Sequence, residues 1–388
     1  MNQDNVIKLG VIGLGNIAQQ HINNITSGAV KQCQITALCS RNKTPLADEL
    51  GASHFQQYQD LIDSGLVNAV LIATPTMSHF DIAKYALEKN IHVMLEKPIG
   101  LSSLEGEKLV ALANKETKFA LMLNQRTDPT FKKIKTVVDS GVLGDIQRTH
   151  WTMTNWFRPD IYFQVSDWRA TWKGEGGGLL VNQCIHNLDI FQWICGVPSE
   201  ITAFCEFGKY HNIEVEDEVT AYLRYNNKAT GVFIGSTGEA PGVNRFDIIG
   251  DKGSLHFAVE GGKSKLTQKL NAQSTAEFCA NTDEMFGMPA VTESDITTTE
   301  TVNQHAIIMN NFVNAIHHDE PLIAPAQDGL ASLDIANAML LSTWQKQAIA
   351  LPMDRNIYQN ELNKKANAST LRTKSNAEAK VDMSASYR

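Results

Sequence analysis

Cysteine is sparse and unpatterned: the 388 residues hold six, Cys33, Cys39, Cys184, Cys195, Cys205 and Cys279, with no Cys-x-x-Cys pair among them. That spacing argues against zinc, iron-sulfur and disulfide frameworks and predicts reduced thiols packed as small apolar groups. Positive charge is also short. Lys and Arg total 34 against 42 Asp and Glu, a formal net charge of -8 at pH 7, with no dense basic stretch in the body of the chain. A nucleic-acid polyanion would be repelled. No apolar run approaches the roughly 20 residues that cross a bilayer. The opening Met1-Asn-Gln-Asp-Asn5 has no basic stretch feeding an apolar one, so the expected location is the cytoplasm, away from membranes. What remains is an ordinary globular composition, 43% hydrophobic and 20% charged, with length for about two domains that each bury a full core.

Short apolar runs alternate with amphipathic stretches over the first third. Strands are expected from Lys8, at 34–40, 67–73, 92–96 and 119–123, with helices at 45–50, 80–89 and 101–115 between them. This rhythm predicts an α/β domain over residues 1–125, a parallel sheet covered by helices on both faces. Beyond Arg126 the rhythm changes. Helices at 129–140 and 182–195 and a strand at 146–154 precede several strands joined by short turns between Ile201 and Phe257. Those turns predict an antiparallel sheet and an α+β second domain, 126–360. Within it, the polar, weakly periodic residues 259–300 read as a loop-rich excursion, and helices resume at 305–316 and 329–347. Residues 361–388, rich in Ala, Ser, Asn and Lys, read as a flexible tail or arm.

Three features fall where a parallel sheet presents its carboxyl edge, besides the turn after the first strand. That turn, Gly13-x-Gly15-x-x-Ala18, is a dinucleotide signature: glycines let amides approach a pyrophosphate, and the next helix offers its positive end. The second strand runs into Ser40-Arg41-Asn42-Lys43, the third into Thr74-Pro75 and His79, the fourth into Glu96-Lys97-Pro98. A lysine beside a positively charged nicotinamide would have its pKa lowered toward acid/base use, which makes Lys97 the leading catalytic candidate. Farther on, Gly174-Glu-Gly-Gly-Gly178 precedes Asn182, His186 and Asp189, whose spacing puts them on one helix face. No metal is expected there, since the set offers too few good ligands.

Together these residues resemble the Gfo/Idh/MocA family of glucose-fructose oxidoreductases and inositol dehydrogenases, over about residues 6–355. The resemblance rests on Gly13, Gly15, Asn16, Ile17 and Ala18, on Thr74, Pro75 and His79, on Glu96-Lys97-Pro98, on Gly176 to His186 and Asp189, on Asn124-Gln-Arg126 and on Gly250-Asp-Lys-Gly-Ser254. It implies an N-terminal Rossmann domain and a C-terminal domain with a large, mostly antiparallel sheet that builds homodimers or homotetramers. The implied chemistry is hydride transfer between the nicotinamide and a hydroxyl or carbonyl carbon of a sugar, sugar acid or cyclitol, with Lys97 and His186 in acid/base roles. Many members carry Asp at the place of Asn182, which can orient a hydroxyl but cannot titrate.

The cofactor set is therefore expected at Gly13, Gly15, Asn16, Ile17, Ser40, Arg41, Thr74, Pro75, His79, Glu96, Lys97 and Asn124. The Ser40-Arg41 ending leans to NADP over NAD, because an acidic residue there would bind the ribose hydroxyls. Substrate contacts are expected at Lys97, Asn182, His186, Arg158, Trp168 and Arg169, the last three in a segment with Trp156, Tyr162 and Trp172 whose aromatic faces suit sugars and whose forks suit hydroxyls or an acid group. Two other readings compete: an NAD-dependent glycosidase that oxidises a ring hydroxyl transiently, and a non-catalytic dinucleotide sensor.

Overall fold

The computed structural model describes residues 6–371. Contacts divide the chain into two units. The first takes the residues up to Thr127 with Gly174–Gly176 and Val302–Leu333; the second takes Asp128–Lys173, Gly177–Thr301 and the residues from Asp334 onward. A single cut near residue 125 thus omits the return of 302–333 to the first unit. The return has a physical cause: Leu121 N donates to Ala324 O (3.0 Å) and Arg126 Nη1 to Ile323 O (3.1 Å) and Asp328 Oδ2 (2.6 Å).

In the first unit β1 (Ile7–Ile12), β2 (Cys33–Cys39), β3 (Ser53–Phe55), β4 (Ala69–Ile72), β5 (His92–Leu95) and β6 (Phe119–Leu121) form a parallel sheet in the order β3-β2-β1-β4-β5-β6. All four residues of β4 are buried, as a strand covered on both faces requires. Short β3 and the helix Tyr58–Asp63 escape sequence reading, because neither spans enough residues to show a period. The strands end level. Gly13 N donates to Cys39 O (3.0 Å), Ala73 N to Ile12 O (2.8 Å), Glu96 N to Ile72 O (2.9 Å) and Met122 N to Leu95 O (2.9 Å). Residues following four neighbouring strands therefore emerge side by side, and the strand order reverses between β1 and β4, the place where open parallel sheets hold ligands.

The second unit carries nine strands: β7 (Ile146–Met153), β8 (Glu200–Phe207), β9 (Glu216–Arg224), β10 (Thr230–Ser236), β11 (Asn244–Gly250), β12 (Gly253–Glu260), β13 (Lys263–Asn271), β14 (Val291–Asp295) and β15 (Ile349–Ala350). Their order is β14-β13-β12-β11-β7-β10-β9-β8-β15, and only β7 and β10 run parallel. Fully buried Trp151 stacks on Phe246, with ring centroids 4.4 Å apart, at the centre of the sheet. Residues 259–300 are not a loop excursion. They supply β13, β14 and the helix Thr275–Asn281, which opens with a Ser274/Glu277 capping box. The expected tail also starts inside a helix, Arg355–Ala368, anchored by buried Tyr358 and Leu362; residues 372–388 lie outside the described residues. Among the described residues no helix is long and apolar enough to cross a membrane.

One buried charge ties the first unit together. Glu96 follows β5, and its Oε1 lies 2.7 Å from Nε2 of His21 on the helix Asn16–Thr26. The ring of His305, on the helix Gln304–His318, meets His21 edge-on with centroids 5.4 Å apart. Burial alone would raise the Glu96 carboxyl; the bond to His21, with His305 and Lys97 nearby, overcomes it and lowers the group to about 2. Burial pushes His305 down to about 4. A carboxyl depressed in the folded state contributes stability that is complete above its unfolded value and lost as pH falls through the folded one. Urea unfolding of wild type should thus lose stability between about pH 4.5 and about pH 2 more steeply than that of Glu96→Gln. Parallel curves for the two would count against the assignment.

Candidate functional site

At the carboxyl edge of the first unit, Gly13 has φ +89°, and a Cβ there would meet Ala73 O at 2.6 Å and Thr74 Cγ2 at 2.9 Å. Only glycine lets the turn after β1 lie this close to the end of β4. Gly15 is exposed, with open space where its Cβ would be. It is the N-cap of the helix Asn16–Thr26, which has no side-chain cap and no acidic residue in its first turn. Uncapped amides at an exposed helix start, approached across glycine, fit the pyrophosphate of a dinucleotide. Asn16 is exposed and Ile17 half-buried beside them.

Thr74 and Pro75 are half-buried, and Ser78 Oγ donates to Thr74 Oγ1 (2.9 Å). His79 is buried and both its nitrogens are engaged by backbone: Nε2 with Thr74 O (2.9 Å) and Nδ1 with Pro98 O (2.8 Å). Burial lowers its pKa from the ordinary value, against the pull of the two carbonyls. Expected as a cofactor contact, His79 is placed as a tie between the turn after β4 and the segment after β5. Glu96, expected as a cofactor contact, turns its carboxylate inward to His21 and accepts from Lys97 N (3.3 Å). Lys97 follows it, half-buried. Asn124 is buried and its Nδ2 donates to Gln304 Oε1 (2.7 Å). At the end of β2, Ser40 Oγ donates to Asn42 O (2.8 Å), while Arg41 and Lys43 are exposed. His21 and His305 were not found from sequence, though His21 sits on the buried helix face with Ala18, Ile22 and Ile25, a position where a histidine needs a partner.

In the second unit Gly178, which ends the glycine run, approaches protein. A Cβ on Gly178 would meet Glu216 O at 2.3 Å and Val215 Cγ2 at 2.7 Å. The wholly buried Glu216 carboxylate accepts from Gly178 N and Leu180 N, each at 2.9 Å. Its neighbour Asp217, equally buried, accepts from the backbone of Lys209, Tyr210 and His211. Neither acid is marked as a site residue in the sequence. The helix with His186 and Asp189 begins at Ile185, so Asn182 stands in the preceding turn and not on its face. His186 and Asp189 are buried, with Asp189 Oδ1 accepting from Gln192 Nε2 (3.1 Å).

Asn182 belongs to another cluster. Its Nδ2 and that of Gln183, Nε2, point to the Tyr162 hydroxyl at 3.4 and 3.2 Å. Arg169 lies over Tyr162 at 4.1 Å and Trp168 at 5.1 Å; Arg158 lies over Tyr162 at 5.2 Å and Trp156 at 5.1 Å. Trp172 is apart from them, buried against Trp344 with centroids 5.5 Å apart.

Comparison with known proteins agrees with this architecture. Residues 7–124 match the oxidoreductase family with an NAD-binding Rossmann fold, and residues 131–256 match the GFO/IDH/MocA C-terminal domain. The scyllo-inositol 2-dehydrogenase (NADP(+)) IolW of Bacillus subtilis is 23% identical over 352 residues, 89% of this chain and 96% of that protein. Two solved structures share the fold. The WlbA dehydrogenase from Bordetella pertussis, in complex with NADH and UDP-GlcNAcA, superposes with TM-score 0.75 at 22% identity, covering 90% of this chain and 100% of that one. A levoglucosan dehydrogenase in complex with NADH and levoglucosan gives 0.74 at 18%, with the same coverage. The chain belongs to the GFO/IDH/MocA family of NAD-binding oxidoreductases.

Proposed function

We propose that the protein transfers a hydride between a nicotinamide dinucleotide and a hydroxyl- or carbonyl-bearing carbon of a sugar, sugar acid or cyclitol, with Lys97 and His186 handling the proton. The observation that carries this reading is the level row of strand ends, which sets the glycine turn, the Thr74 turn and Lys97 beside one another at the point where the strand order reverses. When bound, the dinucleotide supplies the hydride acceptor or donor. The chain's part is to hold it by the amides at Gly15 to Ile17, to orient the reacting oxygen, and to give or take its proton. Lys97 suits that task as a half-buried amine at a strand end next to an ionised carboxylate. The relatives whose names state a cyclitol or sugar substrate support the substrate range.

NADP is the favoured dinucleotide. Arg41 and Lys43 are exposed at the end of β2, and Asn42 stands between them where a carboxylate would serve the ribose hydroxyls. A homodimer or homotetramer built on the nine-stranded sheet is supported by Phe204 and Tyr222, exposed 70% and 43% on neighbouring strands.

The test is net turnover followed at the nicotinamide absorbance over a panel of sugars and cyclitols. Lys97→Ala should lower kcat by about 100- to 10,000-fold while fluorescence titration still detects bound dinucleotide; full activity in the variant would remove Lys97 from the reaction. Arg41→Ala should cut the preference for NADP over NAD about tenfold, and an unchanged ratio would reverse the cofactor assignment. Sedimentation velocity should give a dimer or tetramer, and a monomer at micromolar concentration would leave the sheet face unexplained.

A further inference from the structure

The two arginines around Tyr162 form an arrangement unlike the other buried or half-buried arginines among the described residues. Arg126 brings Asp328 and Arg355 brings Asp334, each at 2.6 Å. Arg158 and Arg169 instead clasp one tyrosine ring from 5.2 and 4.1 Å. Among the described residues Arg169 makes no ion pair with a carboxylate, and its Nε is buried with no hydrogen-bond acceptor. The adjacent acids, Asp160 and Asp167, are exposed and make no ion pair with Arg169. The side-chain amides of Asn182 and Gln183 add further donors directed at the Tyr162 hydroxyl. Burial lowers the Arg158 guanidinium from its usual range, Tyr162 opposes the shift, and Arg169 adds to it. At Arg169 the cluster thus carries a positive charge with no acceptor of its own among the described residues, which is costly unless an anion completes it.

We infer that Arg158 and Arg169 read an anionic group on the substrate, a carboxylate or a phosphate carried by the sugar, so that the protein prefers acidic sugars to their neutral parents. This rests on the proposed oxidoreductase reading and names the substrate class for that same activity. Guanidinium forks match both anions in geometry, and the flanking faces of Trp156, Tyr162 and Trp168 suit the C-H surface of a sugar ring. The neutral alternative, in which the arginines only stack on rings, leaves the Arg169 Nε without an acceptor.

The experiment uses the full chain with either dinucleotide and compares D-glucuronate and D-glucose 6-phosphate with D-glucose, by turnover at the nicotinamide absorbance and by titration calorimetry. The expected result is a kcat/KM or affinity at least about tenfold higher for one acidic sugar, with the glucuronate and phosphate arms separating carboxylate from phosphate. Arg169→Gln should reduce the acidic-to-neutral ratio about 10- to 100-fold, and Arg169→Lys should keep part of it and serves if the glutamine variant does not fold. Arg224→Gln, which removes an exposed arginine lying over Tyr222, should leave the ratio unchanged. Equal or better use of glucose, no acid-selective binding, or an unaltered ratio in both Arg169 variants would overturn the inference while leaving the oxidoreductase reading intact. Acid-selective binding that Arg169→Gln abolishes, with no redox turnover of any sugar or cyclitol, would keep the inference and overturn that reading.

Discussion

The first unit depends on keeping an ionised carboxylate in its interior. Glu96 cannot hold its charge there without a partner, and the partner, His21, lies on the helix whose amino end faces the glycine turn. The distance from Gly15 to His21 along that helix is fixed by its rise, so a bond at its second turn aims its first turn as well. Glu96 is also the residue before Lys97. One 2.7 Å contact therefore sets the direction of the uncapped amides and the position of the candidate acid/base together. His79 adds a second tie, from the turn after β4 to the carbonyl of Pro98. The expected site residues of this unit are thus tied by bonds within the protein.

Much of this was legible in the sequence, and the parts that were not have physical causes. Strands buried on both faces declare themselves as apolar runs, and Pro45–Leu50 and Pro129–Asp139 announce their starts by proline in the first turn. The β13 strand does not, because only Leu266 of its nine residues is buried and, Leu270 apart, the rest are polar. Its pairing with β12, from Gly253↔Leu270 to Glu260↔Lys263, comes from backbone hydrogen bonds that leave little compositional trace. The strand-end motifs give positions but not directions: Glu96, His79 and Asn124 are expected as site residues, yet their side chains bond within the protein. Direction is a property of partners, and His21, Gln304 and His305 lie far from these residues in the chain.

The glycine-rich turn that ends at Gly178 illustrates the same limit. Consecutive glycines are compatible with a ligand or with another stretch of backbone, and the presence of Glu216, 38 residues away, decides for backbone at Gly178. The two acids Glu216 and Asp217 spend their charge on amides of loops on either side of β9. Buried carboxylates here act as loop anchors. The cationic group around Tyr162 is built in the opposite sense, with Arg169 meeting no anion among the described residues.

The return of residues 302–333 to the first unit bears on how the polypeptide is made. A ribosome synthesises β1 to β6 early, but the hydrogen bonds from Leu121 to Ala324 and from Arg126 to Ile323 and Asp328 need a segment that emerges some 200 residues later. During that interval the nascent Rossmann sheet has an unfinished edge, and the long loop that finally closes it carries an entropic cost that grows only slowly with its length. The unit whose strands come first in the sequence is therefore not complete until residue 333 has been made, so its maturation waits on translation of most of the chain.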